Sequence, residues 1–458
     1  MGQISEAKLQ LVRGLIEMAP DSAVRNLLLA LSANNGLDEG LTRVQRMVEA
    51  EATDRQARNL AFSPIAPLCA AAGPFAGISF PPRTLSQIWK ALKAVAPDEV
   101  AAAKVHLDTW RANEEGPEVL DVLCARTAEG LRSGDPAYAG VAACADAGDG
   151  RDVLIACLDI AAVTRGALGH MPEWLGRMTS EKTAKLRLAY ADASAVSSDA
   201  GPRFFEMLAA HLTEPWLILR VISGVMEHPT ETYLASSELR SFGERVLADI
   251  DRHVGEVAAF KSTSGRQAAH AAAQAIHLAV IEIAEVELSV ALTPDGLWGK
   301  RLAGQKKSMA ATIEAHLQAT EKAVAQALPT KTVRVGPRTV RGVPQLGADA
   351  DQTLVEKAAT LLTFMSEVRS SAPAGGFASV RAKASEGVEE RLDAYVEELL
   401  EEIRADDGID LARARAFLEI AAEFCGLARD EKAAQIVRRR AVAAGQAEHG
   451  PGREASGR

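Results

Sequence analysis

Residues 239–292, LRSFGERVLADIDRHVGEVAAFKSTSGRQAAHAAAQAIHLAVIEIAEVELSVAL, are the stretch that decides the fold class. In the first half, apolar residues recur at steps of three, four or seven, which places them along one side of an α-helix. These residues are Leu239, Phe242, Val246, Ile250, Val257 and Phe260. A polar turn follows at 262–265, and the second half is apolar on nearly all sides, as is typical of a helix in the middle of a bundle. We expect two long antiparallel helices here.

The remainder of the chain has the same helical character. Alanine, leucine, glutamate and lysine are strong helix formers, and the alternation of β-branched residues that marks strands is almost absent. Helix starts are indicated at Asp21 and at Pro97, and a helix end at Gly134, because acids and proline favour the first turn and glycine follows the last. The sequence therefore predicts an all-α protein built from several bundle-like blocks of helices.

Breaks in the helical pattern suggest how the chain is divided. We predict an N-terminal helical block at 1–200, a central helical bundle at 201–328 and a C-terminal helical block at 349–445. A basic linker at 329–348 separates the last two blocks, and Gly336-Pro337 inside it can turn a small hairpin. The tail at 446–458 is rich in glycine and polar residues and is expected to be disordered.

Two regions resemble each other in pattern. The helix SELRSFGERVLADIDRHVGEVAAF aligns with ASVRAKASEGVEERLDAYVEELLEEI, so that Ile250-Asp251 matches Leu392-Asp393. Each follows a shorter apolar helix and precedes a helix with a similar phrase, IEIAEVE or LEIAAEF. Duplication of a three-helix unit is one explanation. The other is that helices rich in alanine, leucine and glutamate resemble one another by composition alone.

Composition and charge exclude several classes of protein. With 48% hydrophobic residues the chain is not intrinsically disordered, and a net charge of −10 argues against binding of nucleic acid or anionic membrane by the whole surface. Five scattered cysteines without a CxxC pair fit reduced thiols, and hence a cytoplasmic protein. No apolar run is long enough for a transmembrane helix. The alanine-rich composition is typical of a bacterium with a high-GC genome.

Residues 62–82, FSPIAPLCAAAGPFAGISFPP, are apolar but too rich in proline to form a helix. One interpretation is an ordered connection packed on the helices. The other is a docking surface for a protein partner, with Phe75, Ile78 and Phe80 as anchors and Trp89 on the following helix.

Three histidines are the candidates for a metal site. His253 lies inside the apolar stripe of the first long helix, and His270 and His277 are seven residues apart on the second. In an antiparallel pair of helices, His253 lies level with a point between the other two. Three imidazoles with a nearby carboxylate can bind zinc, iron or a haem. Satisfied histidines at the edge of a core are the alternative, since no HExxH motif and no Glu-x-x-His pair is present.

Opposite charges are separated along the C-terminal half. Residues 296–348 hold nine bases against two acids, and residues 386–410 hold eleven acids against two bases. The two segments can attract each other within one chain or across a dimer, or can simply be solvated helix faces. A third alternative is that the basic segment binds an anionic partner. The residues expected to carry such binding are Lys306, Lys307, Lys331, Arg334, Arg338 and Arg341.

These patterns favour a non-enzymatic cytoplasmic scaffold or adaptor. It would bind protein partners, whose identity the sequence does not give, through apolar helix faces and the proline-rich loop, and a homodimer is compatible with this arrangement. The alternative is a ligand- or metal-binding helical bundle, or an enzyme, centred on the three histidines. A third candidate is an anion-binding module at 296–348. No GxSxG, P-loop or GxGxxG motif favours catalysis, no cofactor is expected, and nucleic acid is not a favoured partner.

Overall fold

The structure, a computed structural model, describes residues 6–33, 39–70, 75–107, 117–145, 149–334, 340–405 and 409–446. Within these residues the chain forms 21 α-helices, a few short 3₁₀ turns and one sheet of two strands. The all-α prediction is therefore confirmed. The chain divides into two compact units, Met1–Gly243 and Glu244–Arg458.

Thirteen helices lie in the first unit. They are α1 (Glu6–Met18), α2 (Asp21–Ser32), α3 (Glu39–Ala61), α4 (Thr84–Val95), α5 (Pro97–Val105), α6 (Glu118–Ser133), α7 (Ala139–Ala145), α8 (Gly150–Asp159), α9 (Ala161–Leu175), α10 (Ser180–Ser194), α11 (Ala200–Ala210), α12 (Ile218–Met226) and α13 (Glu231–Ser236).

The other eight helices belong to the second unit, and the first of these begins shortly before the boundary. They are α14 (Arg240–Ala259), α15 (Arg266–Ser289), α16 (Leu297–Ala327), α17 (Gln352–Glu367), α18 (Ala372–Gly375), α19 (Ala378–Ala405), α20 (Leu411–Ala428) and α21 (Glu431–Gln446). Strands β1 (Thr330–Arg334) and β2 (Val340–Pro344) form an antiparallel hairpin in which Thr332 pairs with Gly342.

Helix ends follow the local signals in the sequence. Helix α2 begins at Asp21, and α5 begins at Pro97 with two acids in its first turn. Helix α6 ends before Gly134, whose φ of 70° is a left-handed conformation that glycine adopts without steric cost. Side-chain oxygens of Asp351 and Asp410 accept hydrogen bonds from the first backbone amides of α17 and α20, as N-caps do.

The core of the first unit is assembled around α6, α8, α9 and α11, which pack on one another and bury large side chains. Phe204 and Phe205 of α11 and Trp174 of α9 are fully buried. The ring of Phe205 stacks on Tyr190 at a centroid distance of 5.1 Å. Burial of aromatic side chains of this size is the main apolar contribution to a helical core.

The second unit is organised around α15 to α17, α19 and α20, in which α17 packs against α15, α16 and α20. The stripe predicted on the first long helix is confirmed, since Phe242, Val246, Ile250 and Val257 of α14 are all fully buried. Helix α15 buries most of its alanine and isoleucine positions, but it is not buried on all sides, because Leu288 remains 62% exposed. Helix α16 is joined to α14 by Gln305, which donates a hydrogen bond to the carbonyl oxygen of Leu247 at 2.8 Å.

The boundary between the two units falls inside the continuous helix α14, and α12 packs on α9, α10 and α11 within the first unit. The blocks predicted from the sequence, with a boundary near residue 200, stay a prediction. The segment predicted as a basic linker instead contains the hairpin, whose second strand packs on α19 within the second unit. The first copy of the suggested duplication begins in the first unit and continues into the second, and duplication stays a prediction. The predicted disordered tail lies outside the described residues beyond Gln446.

Among the described residues, no single helix has both the length and the apolar character needed to cross a membrane. Helices α8 and α9 meet those criteria only when counted together, and they are bent by 65° at their junction.

Candidate functional site

The described parts of the proline-rich segment, 62–70 and 75–82, are packed within the first unit. The side chains of Phe75, Phe80 and Trp89 are buried, with exposed fractions of 7%, 4% and 4%, and Ile78 is half-buried. Of the two interpretations of this segment, the structure matches the ordered connection. Burial gives these aromatic side chains a packing role, and a partner that touched them would first have to open the core.

Polar contacts fix the same segment. The backbone amide of Phe80 donates a hydrogen bond to the carbonyl oxygen of Leu68 at 2.7 Å. The Nε2 atom of His211, at the end of α11, lies 3.4 Å from the carbonyl oxygen of Pro64. Burial lowers the pKa of His211 below its ordinary value, and the backbone contacts of the ring offset this only in part. The imidazole that contacts the proline-rich segment at Pro64 is therefore neutral.

The first three helices form a small cluster with a core of their own. Ile16 of α1, Val24 of α2 and Val48 of α3 are its buried centre. Arg55 of α3 caps the C-terminal end of α1. It donates hydrogen bonds to the carbonyl oxygens of Ile16 and Ala19 at 2.8 and 2.7 Å. The side of α1 that carries Ile16 therefore faces α2 and α3.

The opposite side of α1 is also apolar and is exposed. Leu11 and Leu15 are 67% and 62% exposed, and they lie one helical turn apart on the face away from Leu9 and Ile16, which are buried. Further leucines of the same three helices are exposed, namely Leu27, Leu29 and Leu41. Scattered exposed leucines are ordinary, but a helix with apolar rows on two opposite faces is typical of one that packs against a second partner.

The basic segment is neutralised in part by acids of the same chain. Lys306 pairs with Glu287 at 2.8 Å, and Arg341 of β2 pairs with Glu398 and Glu401 of α19. Lys307, Lys331 and Arg334 are exposed. The last of the six residues, Arg338, lies outside the described residues.

The acidic segment is likewise paired within the second unit. Arg429, which directly follows α20, donates hydrogen bonds to Asp393 and Glu389 of α19, and Arg440 of α21 pairs with Glu397. Attraction between opposite charges within one chain is the alternative that agrees with these contacts. Most of the pairs are partly exposed and contribute little stability individually, but together they neutralise the face of α19.

The three histidines expected to bind metal lie in different environments. His270 is exposed beside Glu367, with Nδ1 3.5 Å from a carboxylate oxygen, and His277 is exposed with Nδ1 3.5 Å from Ser371 Oγ. His253 alone is buried, at 3% exposed. In the part of the chain that the structure describes, the potential metal ligands that converge within 4.8 Å are His253, Asp249 and Glu282. Neither His270 nor His277 is among them.

The buried pair is unusual in its electrostatics. His253 Nε2 lies 3.5 Å from Oε1 of Glu282, which is completely buried. Burial raises the pKa of Glu282, because a carboxylate loses its hydration there. Burial works against protonation of His253, but its contacts with Glu282 outweigh this effect and raise the pKa of the imidazole. Both groups therefore keep a proton to higher pH than they do in water.

Two features of these sites were not fully assigned from the sequence. A carboxylate was expected beside three histidines, but the structure brings His253 together with Asp249 and Glu282 and not with the other two histidines. The register of the two helices faces His253 toward Glu282, and the Asp-x-x-x-His spacing of Asp249 and His253 was the available signal. The exposed leucines were missed as well. Their signal was the presence of apolar residues at 9, 11, 12, 15 and 16, which cover both sides of one helix.

A scan against protein-family models finds no family that matches this chain, and searches of curated proteins and of solved structures find no match either.

Proposed function

We propose that this chain is a non-enzymatic adaptor that binds an amphipathic helix of a partner protein through the outward face of α1. The observation that carries the proposal is the exposure of Leu11 and Leu15 on a helix whose opposite face is already packed. The proline-rich loop no longer supplies the anchors, because Phe75, Phe80 and Trp89 are buried. The five cysteines are buried thiols, which supports a cytoplasmic location.

The energetics favour a moderate interaction. Full burial of an exposed leucine contributes about 1.5–3 kcal/mol, so two leucines at the centre of a contact supply a hot spot but not a permanent interface. The partner is expected to present apolar residues at helical spacing, because a row one turn apart fits the groove of a second helix. The adaptor therefore binds reversibly, and flanking contacts from Leu27, Leu29 or Leu41 would set its affinity.

The test compares a variant of the α1 face with a control variant elsewhere, each with glutamate in place of exposed leucine. Leu11→Glu/Leu15→Glu changes the outward face of α1, and Leu188→Glu changes a leucine of α10 that is 63% exposed in the same unit. Partners are isolated from the native host with each tagged variant and identified by mass spectrometry. Light scattering on each pure protein measures self-association, and circular dichroism checks the helical content.

We expect at least one partner to be retained by the wild type and by Leu188→Glu and to be lost with the α1 variant. Reconstitution of that pair from pure components should show a loss of affinity of more than about tenfold, equal to about 1.4 kcal/mol. If light scattering shows a dimer that only the α1 variant dissociates, the occupant of the face is a second copy and the adaptor proposal is wrong. Equal binding by all three proteins also contradicts it.

A further inference from the structure

We propose that Asp249, His253 and Glu282 form a binding site for a divalent transition-metal ion of the zinc class. Asp249 and His253 lie four residues apart on α14, hence on one face of that helix, and Glu282 lies on α15. One donor atom from each side chain lies within 4.8 Å of the other two. The site is independent of the adaptor face, which lies on α1 in the first unit.

An unsatisfied buried carboxylate is the second observation. Glu282 is completely buried, and neither carboxylate oxygen has a hydrogen-bond partner among the described residues. Its contact with His253 Nε2, at 3.5 Å, is longer than a good hydrogen bond. A buried ionised group without partners costs several kcal/mol, and such groups normally pair or coordinate a metal. The Nδ1 atom of His253 is also without a hydrogen bond.

The donor set selects the class of metal. One imidazole nitrogen with two carboxylate oxygens suits zinc and related first-row ions, whereas calcium and magnesium prefer oxygen ligands alone. Three protein ligands leave a coordination position for water, as in sites that are not purely structural. Asp249 has a side chain 16% exposed, so the cluster has one edge from which an ion can enter.

A guanidinium group at present supplies positive charge at the cluster. Arg252 donates hydrogen bonds to Asp249 at 2.6 Å and to Glu256 at 3.0 Å, and its Nη2 lies 3.2 Å from His253 Nε2. The Arg252 side chain is 46% exposed. It can therefore keep its bond to Glu256 while a metal ion takes its place beside Asp249 and His253. A divalent ion offers two charges where the guanidinium offers one.

The test uses metal alone on the full-length protein, purified without a histidine tag and stripped with a chelator. Zn²⁺ binding is measured by calorimetry, and Co²⁺ is used as a second probe because its visible absorption reports coordination by protein ligands. We expect one ion per chain and a higher melting temperature with Zn²⁺, since a ligand that binds only the folded state stabilises it. Asp249→Asn, His253→Ala and Glu282→Gln are the ligand variants.

Each ligand variant should bind the metal at least about tenfold more weakly. Loss of a residue that only supports a metal ligand already lowers affinity by about 10- to 100-fold. His270→Ala and His277→Ala are matched controls on α15 and should bind as the wild type does. Arg252→Gln should bind equally well or more tightly. If a buried variant unfolds, Asp249→Asn at the partly exposed edge still decides the outcome. The proposal is overturned if no saturable binding occurs, if the ligand variants bind like the wild type, or if only the controls lose binding.

Discussion

The Nη2 atom of Arg165 donates a hydrogen bond of 2.6 Å to the carbonyl oxygen of Ala61, which is 104 positions earlier in the chain. The same guanidinium donates to the carbonyl oxygen of Leu60 and to Asp121, at 2.9 and 3.0 Å. The last carbonyl groups of a helix have no partner within it, so a side chain of α9 satisfies the end of α3. One buried arginine thus joins three helices of the first unit.

Replacement of this arginine should destabilise the first unit strongly. Arg165→Ala removes the buried guanidinium from Asp121 and from two carbonyl groups at the end of α3, and we expect the free energy of unfolding to fall by about 3 kcal/mol. Urea denaturation followed by circular dichroism measures the change. Arg132→Ala serves as the control because this arginine is half exposed, and its loss should cost no more than about 1 kcal/mol. A similar decrease in the free energy of unfolding in both variants would contradict a role for Arg165 in capping the end of α3.

Aromatic residues of the proline-rich segment should act on stability rather than on binding. Trp89→Ala and Phe80→Ala each remove a large buried side chain, and we expect each to lower the free energy of unfolding by about 3–5 kcal/mol. Leu15→Ala, on the exposed face of α1, should cost less than about 0.5 kcal/mol. Thermal unfolding of the three variants provides the comparison. A stable, folded Phe80→Ala protein would show that this segment is not part of the core.

The basic segment should bind polyanions weakly. Because Lys306 and Arg341 pair with glutamates of the same chain, we expect the protein to elute from heparin below about 0.2 M salt. Removal of the competing acids, with Glu398→Gln/Glu401→Gln, should free Arg341 and move elution to higher salt. Elution of the wild type far above this range would instead favour an anionic partner for the segment.

Stability should depend on pH through His211. Burial lowers the pKa of this histidine in the folded chain below its ordinary value of 6.5, so the unfolded chain binds the proton more readily. The free energy of unfolding therefore decreases as pH falls through about 6.5 and is restored as pH rises above it. His211→Gln should flatten the pH dependence between about pH 7 and 5 in chemical denaturation. Parallel curves for the variant and the wild type would contradict this.

Much of the fold follows from local signals in the sequence. The stretch ASVRAKASEGVEERLDAYVEELLEEI, read as a helix from its apolar periodicity, lies within α19, Ala378–Ala405. The hairpin in the basic segment was also indicated, and its strands pair as β1 and β2. Periodicity specifies which residues of a helix are buried, but it does not specify which helix covers them.

The sites were harder to predict for the same reason. The sequence placed His253 in a buried stripe, which is confirmed, but its neighbour depends on the register between α14 and α15. A shift of one turn would bring another side chain of α15 into place. The burial of Phe80 and Trp89 could not be predicted either. An apolar loop has the same composition whether its own chain or a partner covers it.

Helix α14 crosses the boundary between the two units, so its first residues pack in the first unit and the others in the second. Phe242, before the boundary, packs edge-on against Phe205 of α11, and Glu244, after it, accepts a hydrogen bond from Trp298 of α16. Proteolytic nicking and domain insertion concentrate in exposed loops, which this junction lacks. A fragment that ends before α14 gives up the Phe242 ring, and one that begins after residue 243 starts within a helix. A useful N-terminal fragment therefore has to extend into α14, because a cut in the loop before this helix removes Phe242 from the interior of the first unit.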